Sequence, residues 1–497
     1  MTTGVAERHS DYNKHATQWQ RARDVIAGRD AVHAASELYL PRLHNEDAID
    51  YAARLKRTPF YNASFRTIAG FVGMIFAKDP VVEVPEALKP LLEDVTLSGI
   101  SFDNFARTTT EEDLTTSRAG ILVDHPPRNP AVITKAQQEA ANERPTMRLY
   151  SAEDILNWEE DRVNNRTVVT QVRLRETHSV KTGEFSRETK FVIRVLDLEP
   201  FSGNYRIRIF DEQSEELIET PATPLLNGKP LKEIPFYPVG PSGTEVAAYE
   251  PIMIDLFDTN LDHYRVSADY EHACHMTALP TPWVANLGMP ELNAKGEAKP
   301  REFYLGSTTL LAFSNDVKLG FLEYTGQGIT ELRENLKMKE GQMAAIGARM
   351  LAPEKSGVEA AETLHMRHSG ENSILASVAI AVSEGLTKAL RMFGRWTGLA
   401  ETAVAKIVVK LNKDFLSFNI DPAKLTALLA AVQAGKLSWE SFFNLMKRGD
   451  LIEPEVTFED EQARVDDNPP PAPIPPGGGL DEEDPEDKLP VEKVVEE

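Results

Sequence analysis

Two helix-length stretches that bracket a short strand-rich segment constrain this chain more than any other feature. The first follows Pro251, a good helix start because a helix leaves that N–H unpaired anyway. At 100° per residue Met253, Phe257, Leu261, Tyr264 and Ala268 share one side, which predicts a packed helix to about His275. Asp255, Asp258, Asp262 and Asp269 fall in a narrow arc opposite, as a line of carboxylates. Helical pattern resumes at Ile329, with Leu332, Leu336, Met343, Ile346 and Met350 in register and Lys339 interrupting the seam. Between the two, beyond Pro280 and Pro282, the runs Phe303–Leu305, Thr309–Phe313 and Leu319–Tyr324 are strand-like and are broken by Gly288, Pro290, Gly306 and Gly320.

The sequence before Pro251 reads as helices followed by a β-rich section. Residues 10–30 are helix-compatible, Asn45 is placed to cap a helix to about Lys56, and Pro59 stops it. From Ala63 to Ala77 the residues Phe65, Ile68, Val72, Ile75 and Phe76 mark a core stripe, and Ser101 caps a helix to about Arg118 ahead of a buried strand at Gly120–Val123. Between Met147 and Asp211 the period changes to two, predicting an antiparallel meander. Its outward side shows Arg173, Arg175, Lys190, Arg194, Arg206 and Arg208, read as a solvated face offset by Glu176, Glu188 and Asp197 rather than as a polyanion patch.

After the second long helix, Pro353 and Gly357 break the pattern, and Ser356 with Glu359 forms a capping box for a helix to about Thr397, with bends expected at Gly370 and Gly385. A strand at Lys406–Leu411 and two helices within 421–449 follow, and from about Asp466 the Pro-rich, Gly-rich and acidic sequence reads as disordered. The fold class expected is α+β.

Charge narrows the function classes. The chain carries 77 acidic and 54 basic side chains, a net charge of -23. Residues 466–497 hold 11 acidic and 2 basic groups, so the tail contributes -9 and residues 1–465 the remaining -14. Such a body repels polyanions and excludes a basic nucleic-acid coat. Cys274 is the one cysteine, which rules out an intrachain disulfide. The polar start from Met1 to Arg23 lacks a signal-peptide core, and no run approaches the ~18 apolar residues of a membrane span, so a soluble, intracellular chain is expected.

Catalytic signatures are missing: there is no phosphate loop, dinucleotide fingerprint, nucleophile elbow or His-Glu-x-x-His helix. No cofactor is expected. The nearest approach to a metal set is His272, Cys274 and His275 on the first long helix with His365 and His368 later, and nothing in the sequence brings the two groups together. The helices within 421–449 are spaced like a DNA-reading pair, but Trp439 and Glu440 open the second helix while Lys447 and Arg448 close it, the wrong polarity for base contact.

The order of elements resembles that of the portal proteins of tailed bacteriophages. The strings KRTPFYN at Lys56–Asn62, FRTIAGFVGMIF at Phe65–Phe76 and LDHYRVSADYEH at Leu261–His272 look like a portal-like branch of phage and prophage proteins. The resemblance covers about residues 30–460. It implies a wing at 1–250, a first stem helix at 251–275, a clip at 276–327, a second stem helix at 328–347, a tunnel loop at 348–357, a bent helix and return strand at 358–420, a crown at 421–465 and the tail at 466–497.

The family further implies a non-enzymatic ring, a dodecamer at the capsid portal vertex of the virion, assembled in the host cytoplasm. Double-stranded DNA would pass through without sequence specificity, and the partners would be the terminase large subunit, major capsid and scaffold proteins, and a head-completion or tail adaptor protein. On this pattern Arg349 and Lys355 of the tunnel loop are the cations placed for phosphates, and Arg301, Phe303, Tyr304 and Lys318 belong to the docking clip. Few cations suit a conduit, because each neutralised phosphate adds affinity and makes sliding sticky. Asp255, Asp258, Asp262 and Asp269 would repel the duplex if they faced a channel, or would lie on a solvated or subunit-facing side. Two other readings stay open: another head–tail assembly protein, and a metal-dependent hydrolase built on the histidines and Cys274.

Overall fold

The computed structural model describes residues 4–126, 137, 140–163, 165–241, 243, 245–278, 281–286, 317–322, 327–349, 373–413, 415, 422–448, 451–452 and 456–467. The chain divides into two units, Met1–Phe415 and Leu416–Glu497. Helices and antiparallel strands are segregated, so the fold is α+β.

The first unit opens with α1 (Ser10–Ala27), the short α2 (Arg29–Ala34) and α3 (Ala48–Arg57). Asp47, not Asn45, caps α3: one of its carboxylate oxygens accepts the N–H groups of Ile49 and Asp50. Asn45 instead turns the chain in the left-handed region, at φ 60°. In α4 (Ala63–Ile75) the 3.6-residue period buries Ile68, Val72 and Ile75, whereas Phe65 is 47% exposed and Phe71 takes its place in the core. Then come β1 (Val81–Glu83), α5 (Lys89–Leu92) and α6 (Phe102–Thr116), which Ser101 caps and Ser117 stops in the left-handed conformation.

Strands β2 (Ala119–Asp124) and β3 (Thr146–Ser151) form a three-stranded sheet with β10 (Phe236–Val239), in the order β10-β2-β3. Strands β4 (Ile155–Val163), β5 (Arg166–Lys181), β6 (Arg187–Leu198) and β7 (Tyr205–Asp211) form an antiparallel meander, followed by the small pair β8 (Leu225–Leu226) and β9 (Lys229–Pro230). The expectation of one solvated face on this meander fails. Val172, Leu174, Val192 and Leu196 enter the main core on one side, while Ile193 and Val195 join a second cluster with Tyr12, Trp19 and Trp158 on the other. Because both faces are covered near the sheet's base, its charges are paired. Asp197, 5% exposed, accepts from Arg206 and Arg208, and Arg194 lies on the inward side with the equally buried Glu176.

The chain continues through α7 (Ile254–Ala278), β11 (Thr281–Ala285), β12 (Lys318–Leu322), α8 (Gln327–Arg349), α9 (Ile374–Trp396), α10 (Glu401–Val404) and β13 (Val408–Lys410). Strand β13 pairs with β1, Val81 facing Lys410, which ties the unit's last strand to its first. The central helix is α9, with Leu375, Val378, Val382, Leu386, Leu390 and Phe393 buried. At Gly385 a Cβ would lie 2.5 Å from Val239 Cγ2, so glycine is what lets α9 approach β10. Gly385→Ala gains about 1 kcal/mol of helix propensity and loses about 1–3 kcal/mol to overpacking. A net fall in the thermal unfolding midpoint is therefore expected, and an unchanged or higher midpoint would count against close packing here.

The second unit contains α11 (Pro422–Gln433), α12 (Trp439–Arg448) and α13 (Phe458–Asp467). Its core is small: Val432, Phe442, Phe443 and Val456 are buried, and Phe443 meets the Phe458 ring edge-on at 5.6 Å. Lys447 donates to the Val456 carbonyl at 2.9 Å, which ties the end of α12 to the segment that leads into α13. Among the described residues no helix is long and apolar enough to cross a membrane.

Candidate functional site: the paired long helices

The site is built on α7, whose 25 residues span about 37 Å at 1.5 Å per residue. Met253, Phe257, Leu261, Tyr264 and Ala268 are all buried, as helical spacing requires. Asn260 sits inside this apolar stripe and is fully buried. Its side-chain oxygen accepts from the N–H and hydroxyl of Ser64, and its amide donates to the Tyr61 carbonyl at 2.8 Å, clamping α7 to the start of α4. Sequence reasoning passed over Asn260. The signal was available, since a lone polar residue at an apolar stripe position needs a buried partner.

Helix α8 runs antiparallel to α7. Lys339 Nζ lies 3.5 Å from Asp262 Oδ2, and His263 Nε2 lies 3.5 Å from Glu340 Oε1, the adjacent positions on each helix. Lys339 thus interrupts the apolar seam because a carboxylate on α7 meets it. His263 is 5% exposed, with the Tyr61 ring 5.6 Å away, and burial lowers its pKa against the opposing pull of Glu340. Strands β11 and β12 pair antiparallel at the far end of the two helices, Thr281 with Leu322 and Ala285 with Lys318. At the pair Trp283–Gly320, a Cβ on Gly320 would lie 2.8 Å from the indole, so the glycine leaves room for the Trp283 ring.

Residues 252–397, which include this helix pair and α9, match the family described as Domain of unknown function (DUF4055). No curated protein matches the chain. Among solved structures, the chain is similar to one from the neck of an empty GTA particle computed with C6 symmetry, at 11% identity and a TM-score of 0.38, over 79% of this chain and 92% of that one. A chain from the virion of a native gene transfer agent (GTA) particle gives 10% identity and a TM-score of 0.37, over 84% and 98%. One from the neck of a native GTA particle computed with C12 symmetry gives 11% and 0.36, over 79% and 92%.

The carboxylates of α7 do not form one free line. Asp258 is bound to Arg21 of α1 at 2.5 Å, and Asp262 to Arg265 at 3.0 Å as well as to Lys339. Asp255 is exposed. Asp269 is exposed too, but its carboxyl is raised above the usual range by partial burial, which Arg54 and His272 only partly oppose. The arc therefore includes positions bonded to α1 on one flank and to α8 on the other. Two of its four charges are largely neutralised.

The remaining positions scatter. Lys318 is exposed at the start of β12, and Arg349 is the last residue of α8. Arg301, Phe303, Tyr304, Lys355, His365 and His368 lie outside the described residues. His272, Cys274 and His275 are half-buried along α7, and among the described residues no group of three or more His, Cys, Asp or Glu is arranged to hold a metal ion.

Proposed function

We propose that the chain is a phage-type head–tail structural protein, and specifically a portal: a non-enzymatic ring at the capsid vertex through which double-stranded DNA passes in both directions. The observation that carries this reading is the antiparallel pair α7–α8, joined at one end through the β11–β12 hairpin and rooted at the other in a unit organised around α9. A long stiff pair with a small sheet at its tip suits a stem and clip. Two portal-like strings also meet in space: Phe65–Phe76 lies on α4 and Leu261–His272 on α7, and Ser64 and Asn260 beside them clamp those helices together.

On this reading residues 1–250 are the wing, the α7–α8 pair is the stem, 276–327 form the clip, 348–357 the tunnel loop and 421–465 the crown. Asp255 and Asp269 add carboxylates that discourage tight DNA binding, and Arg349 and Lys355 supply the few phosphate contacts. The terminase large subunit and an adaptor protein dock at the clip beside Lys318, and capsid and scaffold proteins surround the ring in the virion.

Negative-stain microscopy with mass photometry tests the proposal. Rings with an open centre, at a mass several-fold the 55.3 kDa of one chain, are the expected result, with a dodecamer favoured. A chain that stays monomeric both alone and with capsid and scaffold partners would sink it.

A further inference from the structure

The core of the second unit stops one helical turn short. On α12 the positions Trp439, Phe442, Phe443 and Met446 fall on one side at 100° per residue. Phe442 and Phe443 are buried and Met446 is half-buried, yet Trp439 on that same side is 57% exposed, its ring meeting Phe442 edge-on at 5.9 Å. A tryptophan on the packed side of an amphipathic helix is placed for burial.

Helix α13 shows the matching gap. Lys447 holds the Val456 carbonyl, whereas Phe458 meets Phe443, a turn nearer the start of α12, so the chain enters α13 heading towards Trp439. Val465 lies two turns beyond Phe458 on the same side of α13 and is 50% exposed. Both helices therefore carry an apolar side chain on the packed side, near the same end of the hairpin, left half open.

The chain itself supplies a cover of the right chemistry. Helix α13 ends at Asp467, and the run PPPAPIPP at 469–476 follows within the same unit. The nine steps from Phe458 to Asp467 advance about 14 Å and the four from Phe443 back to Trp439 about 6 Å, which leaves Asp467 about 8 Å past the indole along the hairpin. Eight residues of polyproline II span about 25 Å, enough to turn back across the ring and reach Val465. Six of the eight are prolines, so the run is stiff, has few N–H groups to desolvate and presents the ring faces that pack on aromatic side chains. Its tether, two residues from α13, gives it an effective concentration that a separate partner lacks. We propose that residues 469–476 turn back on the α12–α13 end of the second unit and cover Trp439 and Val465. The inference does not depend on ring assembly.

Acrylamide quenching of tryptophan fluorescence in the full chain tests it. Subtracting the signal of Trp439→Phe from that of the native chain isolates Trp439 among the five tryptophans. The same subtraction is made in a second background carrying Pro469→Ser, Pro470→Ser, Pro471→Ser, Pro473→Ser, Pro475→Ser and Pro476→Ser, which alters no residue of α11, α12 or α13. Covering half of the open indole should halve its encounters with the quencher, so the Trp439 quenching constant is expected to be about twofold lower in the native chain than in the serine background. Equal constants in the two backgrounds would overturn the proposal: a high value would mean that the indole stays open, and a low one that something other than this run covers it. Shielding that disappears on dilution of the native chain would also overturn it, because the cover would then come from a second copy.

Discussion

Replacing Glu176 by alanine is expected to cost the first unit about 3–5 kcal/mol, the range for removing one partner of a buried ion pair. The Glu176 side chain has no solvent exposure. Arg194 Nε donates to it at 2.7 Å, the Tyr150 hydroxyl at 2.5 Å, and Arg148 lies 3.1 Å away. Burial by itself would raise the carboxyl's pKa, and Arg194, Tyr150 and Arg148 together more than offset this, holding it below the usual range. With Glu176 gone, Arg194 keeps, among the described residues, only Asp124, at 3.1 Å, and remains mostly buried. The meander would lose the clamp between β5, β6 and β3, so urea unfolding followed by far-ultraviolet circular dichroism should show a large drop in midpoint. Glu176→Gln, which retains the shape and one acceptor, should lose less. Equal stability of the native and alanine proteins would show that the network contributes only specificity.

What the sequence made legible follows the range of the forces involved. The α7 stripe from Met253 to Ala268 and the β5–β7 alternation were readable because periods of 3.6 and 2 are local consequences of backbone geometry. The Ser101 cap was readable for the same reason. The packing role of Gly385 was not legible because it depends on Val239, a residue distant in sequence. Arg194 was placed outward because alternation alone cannot show that a sheet is covered on both faces: the cluster with Tyr12 of α1 buries Ile193 and Val195 on one side, while Arg194 lies on the other with Glu176. Lys339 read as a flaw in a seam, and its explanation required Asp262 on the other helix. The helix pair and its acidic residues were therefore legible as elements. Which carboxylates are spent on ion pairs, and which are not, depended on tertiary contacts.

The second large effect concerns a carboxyl with no such partners. Asp113 of α6 is fully buried, and among the described residues neither of its side-chain oxygens has a hydrogen-bond partner. Helices α1, α4 and α9 pack on α6, with Val25, Phe71 and Val382 of those helices buried in the same core, and Arg23 is already taken up by Glu112 and Glu153. Burial, with a smaller contribution from the adjacent Glu112, pushes the Asp113 carboxyl up to about 7. A raised acid is favourable to folding only while it stays protonated. As pH climbs above the ordinary value of 3.8, the unfolded chain ionises and the folded one does not, so stability falls until the folded carboxyl also ionises near 7 and is level beyond. That difference corresponds to about 4 kcal/mol at most, lost between about pH 4 and pH 7. Asp113→Asn cannot ionise, so the variant's stability relative to the native chain should rise steadily through this window and then stay constant. Urea midpoints at pH 4.5, 6 and 7.5 measure it directly. Parallel profiles for the two proteins would mean that the carboxyl finds a partner, such as an internal water, and titrates as an ordinary aspartate.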